Sequence, residues 1–326
     1  MIAATIIDMV QDAAELTVES PAYVVIRFAR YAGMIALIGA ATFALGVVSR
    51  ARKRGADERF LRAVAGRALW LADGGAAVLL SSAVLRLVAQ LITIGGPEAL
   101  KSATTYRFVL MNTTWGHGWA LEMIAGLYAV WALSRVRHGK SWWLVAGAAP
   151  LLGVAAGLSG HAVAIETRAQ LGVLLDTIHI VAAAGWVGGL AAIVFAAVPP
   201  AMRVGGGAAG SLAIVVRAFS PVALTCAAAL VVSGGPAAWF QIGSIEGFWT
   251  SQYGQRLLTK LALLAIMAAL GAYNWRSVAP VLERAEGAVR LQRSARAELV
   301  FAVLILVVTA VLVATPTPIE GVGGSE

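Results

Sequence analysis

Eight apolar runs dominate the sequence, each near the length of about 20 residues that an α-helix needs to cross a hydrocarbon layer of about 30 Å. They occupy residues 21–49, 68–94, 113–134, 142–160, 171–196, 212–238, 255–275 and 297–315. In lipid such a run is expected to be helical, because every backbone N–H and C=O must find its partner within the segment. Composition agrees. Of 326 residues, 60% are hydrophobic and only 13% charged, with a mean hydropathy of +0.81, whereas a soluble domain carries about 25% charged residues. The expected fold is an all-α polytopic membrane bundle of eight transmembrane helices.

Charge orients the bundle. The 50–67 connection holds Arg50, Arg52, Lys53, Arg54, Arg59, Arg62 and Arg67, and the 135–141 and 276–296 connections are also basic. Arg203 marks the 197–211 connection, on the same side. The opposite set is acidic or neutral: Asp8, Asp12, Glu15 and Glu19 precede the first run, and Glu320 and Glu326 follow the last. Lys and Arg accumulate on the cytoplasmic side of membrane proteins, which predicts both termini extracytoplasmic. The net charge of +8 is thereby assigned to topology, and nucleic-acid binding is not expected. No phosphate-binding Gly-Lys-Ser/Thr loop occurs, and the single cysteine, Cys226, excludes an internal disulfide or a Cys-x-x-Cys site. The expected role is non-enzymatic. In residues 1–20, Ile6, Met9, Val10, Ala13, Ala14 and Leu16 fall near helical spacing between acids, the pattern of an amphipathic segment on the outer face. Residues 316–326 form an extracytoplasmic tail.

An internal repeat is visible. Aligning Gly116 on Gly254 places Trp115 on Tyr253, His117 on Gln255 and Glu122 on Lys260; aligning Gly39 on Gly188 places Arg27 on Asp176 and Arg30 on His179. The matches recur every four runs, so both halves share one orientation and the symmetry axis lies along the membrane normal. The expected units are residues 21–160 and 161–315, two four-helix repeats.

Ionisable groups inside a membrane segment cost about 2.5–3.5 kcal/mol each at mid-helix, so each needs a partner or a function. Glu122 and Lys260 fall at equivalent depth and are expected either to neutralise each other across the axis or to line an ion path. Arg217 and Glu298 sit near helix ends and are expected to reach the headgroups. Three histidines, His117, His161 and His179, fall in the outer half, and Asp176 precedes His179 by three residues on one helical face. Imidazole with a carboxylate suits copper or zinc. The alternative for each histidine is a hydrogen bond to a neighbouring helix.

The stretch His179-Ile-Val-Ala-Ala-Ala-Gly-Trp186-Val-Gly188-Gly189-Leu190 resembles the signature of the CopD/PcoD copper-resistance membrane proteins. So do Arg217-Ala-Phe219-Ser220, Tyr253-Gly254-x-x-Leu257-Leu258-x-Lys260 with Asn274 and Pro280, and Ser159-Gly160-His161-Ala162. The resemblance covers residues 155–315 best. It implies a bacterial inner-membrane protein that moves copper between periplasm and cytoplasm, beside a periplasmic CopC-type carrier. It places His161, His179 and Asp176 on family-like ligand positions, with His117 added on geometry alone. Glu122, Lys260, Arg30 and Trp186 are the candidates for a pathway or an interhelical ion pair. The family tends to carry a histidine near the Arg27/Arg30 position, so Arg30 removes a two-histidine site straddling the axis. Two other readings stay open: a haem b protein using pairs of these histidines, and a membrane subunit that kept the fold and lost the metal site. A homo-oligomer is compatible with all of them.

Overall fold

A computed structural model of the chain describes residues 20–160, 169–204, 207–282 and 287–318, and among them no strand occurs. The main helices are α1 (Pro21–Lys53), α2 (Glu58–Gly95), α3 (Ala103–Asn112), α4 (Thr114–Arg137), α5 (Trp143–Leu158), α6 (Ala169–Met202), α7 (Ala208–Ile242), α8 (Gln252–Val278) and α9 (Val289–Leu312). Six of these are long and apolar enough to cross a membrane: α1, α2, α6, α7, α8 and α9. This differs from the eight expected. The third run forms α4, whose Trp, Gly, His117 and Glu122 lower its hydropathy; the fourth forms α5, apolar but shorter. The amphipathic reading of residues 1–20 falls almost wholly on residues outside the described ones.

The first basic connection is not a long loop. α2 begins at Glu58, so Arg59, Arg62 and Arg67 extend the helix and only residues 54–57 interrupt it. Gly55, with φ of 82°, makes the reversal, since positive φ is open to glycine without steric cost. Asp57 then caps α2 by accepting from the Phe60 N–H at 2.8 Å, satisfying one of the donors that a helix N-terminus leaves free.

α1 and α6 form the centre, with 56% and 61% of their most apolar windows buried, against 11% for α8. They cross where Gly39 meets Gly188: a Cβ on either would overlap the other helix's backbone. Around this crossing the neighbours exchange in pairs. α1 packs on α2 as α6 packs on α7; α5 packs on α6 as α9 packs on α1. Both central helices pass into a π-helical turn, Phe43–Val48 in α1 and Ile193–Ala197 in α6. The starts of α4 and α8 match atom for atom. Thr113 accepts from the Gly116 N–H (2.9 Å) and donates to the Val109 carbonyl (2.6 Å). Ser251 accepts from the Gly254 N–H (2.9 Å) and donates to the Gly247 carbonyl (2.5 Å).

The Gly39–Gly188 crossing leads to a stability prediction. Gly39→Ala drives a methyl group into backbone that cannot step aside and lowers stability by about 1–3 kcal/mol or more. Gly66→Ala in α2, where an added Cβ meets nothing within 4 Å, is neutral or stabilises by about 0.4–1 kcal/mol. Thermal unfolding of both variants in detergent checks this, and equal midpoints would remove the crossing from its central place.

Candidate functional site

Two polar clusters lie two to three turns in from the helix ends opposite the basic connections. The first joins α1, α2 and α4. Glu122, fully buried, accepts from Arg30 Nε at both carboxylate oxygens (3.0 and 2.9 Å) and from an Arg86 terminal nitrogen at 2.6 Å. Arg30 and Arg86 are 4% and 3% exposed. Glu122 is therefore paired within its own half and not with Lys260. The reason is packing: α4 lies against α2 and α5, and α2 against α1, so the two arginines are the cations within its reach.

Aromatic faces close the cluster. The Arg86 guanidinium lies 5.3 Å from the Trp115 ring centroid, Arg30 lies 5.6 Å from Tyr31, and Arg27 lies 4.4 Å from Tyr23. Arg30 Nη2 is buried without a hydrogen-bond partner, and the Tyr31 face offers it a cation–π contact instead. Trp119 Nε1 donates to the Ala83 carbonyl at 2.7 Å, fastening α4 to α2 at the same level. The chemistry available here is that of a fixed tie: planar guanidiniums clamping one fully buried carboxylate.

The second cluster joins α6, α7 and α8. His179 Nδ1 lies 3.3 Å from Ser233 Oγ, and the Ser233 hydroxyl donates to the Ala229 carbonyl at 2.7 Å. With its single hydrogen committed there, Ser233 accepts from His179 Nδ1–H. Neutral imidazole has one N–H, so Nε2 keeps its lone pair. Gly234 makes room: a Cβ there would stand 3.0 Å from His179 Cε1. Lys260 is within electrostatic reach of both Asp176 and His179. The charges are thus exchanged between helices. In the first cluster the cation Arg30 is on α1 and the acid on α4; in the second the acid Asp176 is on α6 and the cation on α8.

Of the other expected site residues, His117 is exposed and its Nε2–H donates to the Met111 carbonyl at 3.0 Å. Gln255, at the matched position of α8, donates from Nε2 to the Trp249 carbonyl at 2.9 Å. His161 lies outside the described residues. Trp186 packs against the apolar cluster built by the basic-end halves of α1, α2, α6 and α7. Among the described residues, no group of three His, Cys, Asp or Glu side chains gathers into a set able to hold a metal. The sequence alone gives no signal that joins Arg86 to Glu122 and none for Ser233. Ser233 stands two turns from Cys226 on α7, a spacing that gave no signal without the partner helix.

A family model described as "Copper resistance protein D-like, N-terminal domain" matches residues 17–171, and one described as "Copper resistance protein D" matches residues 213–312. The chain is 31% identical over 222 residues to "Copper transport protein CutJ" of Bacillus subtilis (strain 168), an alignment covering 66% of this chain and 39% of that protein. It therefore spans well under two thirds of that relative's length. It is 28% identical over 288 residues to "Copper resistance protein D" of Pseudomonas syringae pv. tomato, covering 85% of this chain and 89% of that protein. No solved structure matches. The chain is a helical membrane protein, and it belongs to the copper resistance protein D family.

Two predictions separate the tie from the spare histidine. Glu122→Gln removes the carboxylate that serves two buried guanidiniums and costs about 3–5 kcal/mol; a thermal midpoint equal to wild type would overturn the cluster's role. His117→Gln copies the Gln255 arrangement and stays within about 0.5 kcal/mol of wild type. A marked drop in its unfolding midpoint would show that the imidazole supplies something the amide does not.

Proposed function

We propose that this chain moves copper across the bacterial inner membrane, with His179 as the principal ligand and His161 and Asp176 completing a site near the periplasmic face. The observation that carries the reading is the Ser233–His179 contact. It fixes the imidazole with Nδ1 as donor and leaves Nε2 basic, as a histidine ligand to a transition metal requires. The family's copper association supports the choice of metal, and the relatives' printed names support the cargo role.

The architecture that fits this function is two four-helix repeats, residues 21–160 and 161–315, about an axis through the Gly39–Gly188 crossing. On this reading α4 and α5 span the bilayer with the six longer helices, giving eight spans and both termini outside. Their short connections and the basic ends of α1, α2 and α4 support it, since positive charge marks the cytoplasmic side. Helices poorer in apolar residues are tolerated where protein rather than lipid surrounds them, and Glu122 on α4 is fully enclosed. The first repeat is the static half and the second the working half. α2 packs along α4, while α7 makes no comparable contact with α8, leaving the second cluster less enclosed. A periplasmic CopC-type carrier is the natural donor of copper to that face.

The test is copper accumulation by cells or vesicles carrying wild type, His179→Ala, His161→Ala and Ser233→Ala at matched membrane levels. Loss in both histidine variants is expected, with a partial loss in Ser233→Ala, whose imidazole is no longer held in one tautomer. Accumulation equal to wild type in His179→Ala would overturn the site, and equality in all variants with an empty-membrane control would overturn copper transport itself.

A further inference from the structure

Glu298 stands apart from both clusters. It sits on α9 with 4% of its surface exposed, toward the basic end of the bundle. Its hydrogen-bond partner is Asn274 of α8, whose Nδ2 donates to Glu298 Oε1. The other carboxylate oxygen lies on the side of Gly271, where an added Cβ would stand 3.6 Å away, one turn from Asn274 on the same helix. Asn274 Oδ1 is buried and has no hydrogen-bond partner. No ion pair reaches Glu298 among the described residues. Arg293 and Arg296 on its own helix and Arg276 on α8 are exposed, and Arg50 at the facing end of α1 donates to the Gly46 carbonyl.

The accounting is short of one donor. A buried carboxylate without a counter-charge is expensive in a membrane segment, and a buried amide oxygen without a donor adds a further cost. A water or a metal ion could satisfy both, but Asn274 Oδ1 is almost wholly enclosed. A hydrogen on the carboxyl group needs no such room. We propose that Glu298 is a proton-binding site, in which the carboxylic acid and the Asn274 amide form a reciprocal pair, N–H to carbonyl in one direction and O–H to amide oxygen in the other. Asn274 opens the π-helical turn Asn274–Val278 that ends α8, and such turns often mark functional positions. The proton therefore holds the end of α8 to α9. Its departure leaves two bare oxygens facing each other and releases that end. The inference is independent of the copper reading, since it involves none of the proposed ligands.

Infrared difference spectroscopy tests it directly, on full-length protein purified at neutral pH in a detergent free of ester and carboxyl groups. The wild type is expected to show the carbonyl stretch of a protonated carboxylic acid, shifting on exchange into heavy water. In Glu298→Gln, whose amide N–H replaces the acid O–H, that band disappears while thermal stability stays near wild type. In Asn274→Leu, which keeps the acid and removes its partner, the band remains and moves to higher frequency. Absence of the band from wild type, its persistence in Glu298→Gln, or an unmoved band in Asn274→Leu would each overturn the proposal.

Discussion

In hydrocarbon, helices gain little by hiding apolar side chains from one another, so close backbone approach and interhelical polar contacts must hold a bundle together. Gly39 and Gly188 provide the first of these. With no side chain between them, α1 and α6 meet backbone to backbone, and the remaining helices arrange themselves around that contact in exchanged pairs. At the seams α5 lies against α6 and α9 against α1. A two-fold exchange of this kind joins the halves at the centre and at both seams. It also puts Arg30 and His179, each nine residues ahead of its glycine, at the same level of the bundle.

What the halves do with that level differs. In the first, one carboxylate and two guanidiniums are enclosed by α1, α2 and α4 and roofed by aromatic rings. Among the described residues Arg30 Nη2 is buried without a hydrogen-bond partner, and the Tyr31 ring lies beside that guanidinium. Such a cluster is costly to assemble and costlier to break, which suits a tie and not a moving part. In the second, the planar guanidinium is replaced by an imidazole and the carboxylate by an ammonium, with Asp176 one turn away. Imidazole and ammonium each have fewer fixed bonds than guanidinium, and α8 is the least buried of the long helices. The same fold thus carries a rigid and a looser version of one polar layer.

Part of this was readable in the sequence, in residues spaced alike along different helices. The alignments of Gly39 on Gly188 and Gly116 on Gly254 point to the close crossing and to the matched caps at Thr113 and Ser251. Both depend on local chemistry that one helix contains. Partner choice is different in kind. Glu122 could not be assigned to Arg30 and Arg86 from sequence, because depth along a helix says nothing about which helix stands beside it. The same limit applies to Ser233 and His179. Glu298 shows a further one: its distance from the helix end suggested a side chain reaching the headgroups, and α8 instead closes over it through Asn274. The basic connection at residues 50–67 read as a loop because its charges masked helical continuity. Arginine is a good helix former, and the apolar pattern simply ended before the helix did.

The charge exchange bears on which half can carry a cation. Around Glu122 two guanidiniums are held within contact distance, with Arg27 close by, so a metal ion placed there meets positive charge on two sides and no free lone pair. Around His179 there is one ammonium, and the carboxylate that offsets it, Asp176, is on the same helix as the imidazole. Nε2 is the basic atom of that group, and Gly234 leaves the ring space in which to stand. On the copper reading, Arg30 is then no defect in a two-histidine site. On the same reading it would convert one side of the polar layer into a fixed frame for the other, with a single imidazole and its own second ligands in place of a pair across the axis.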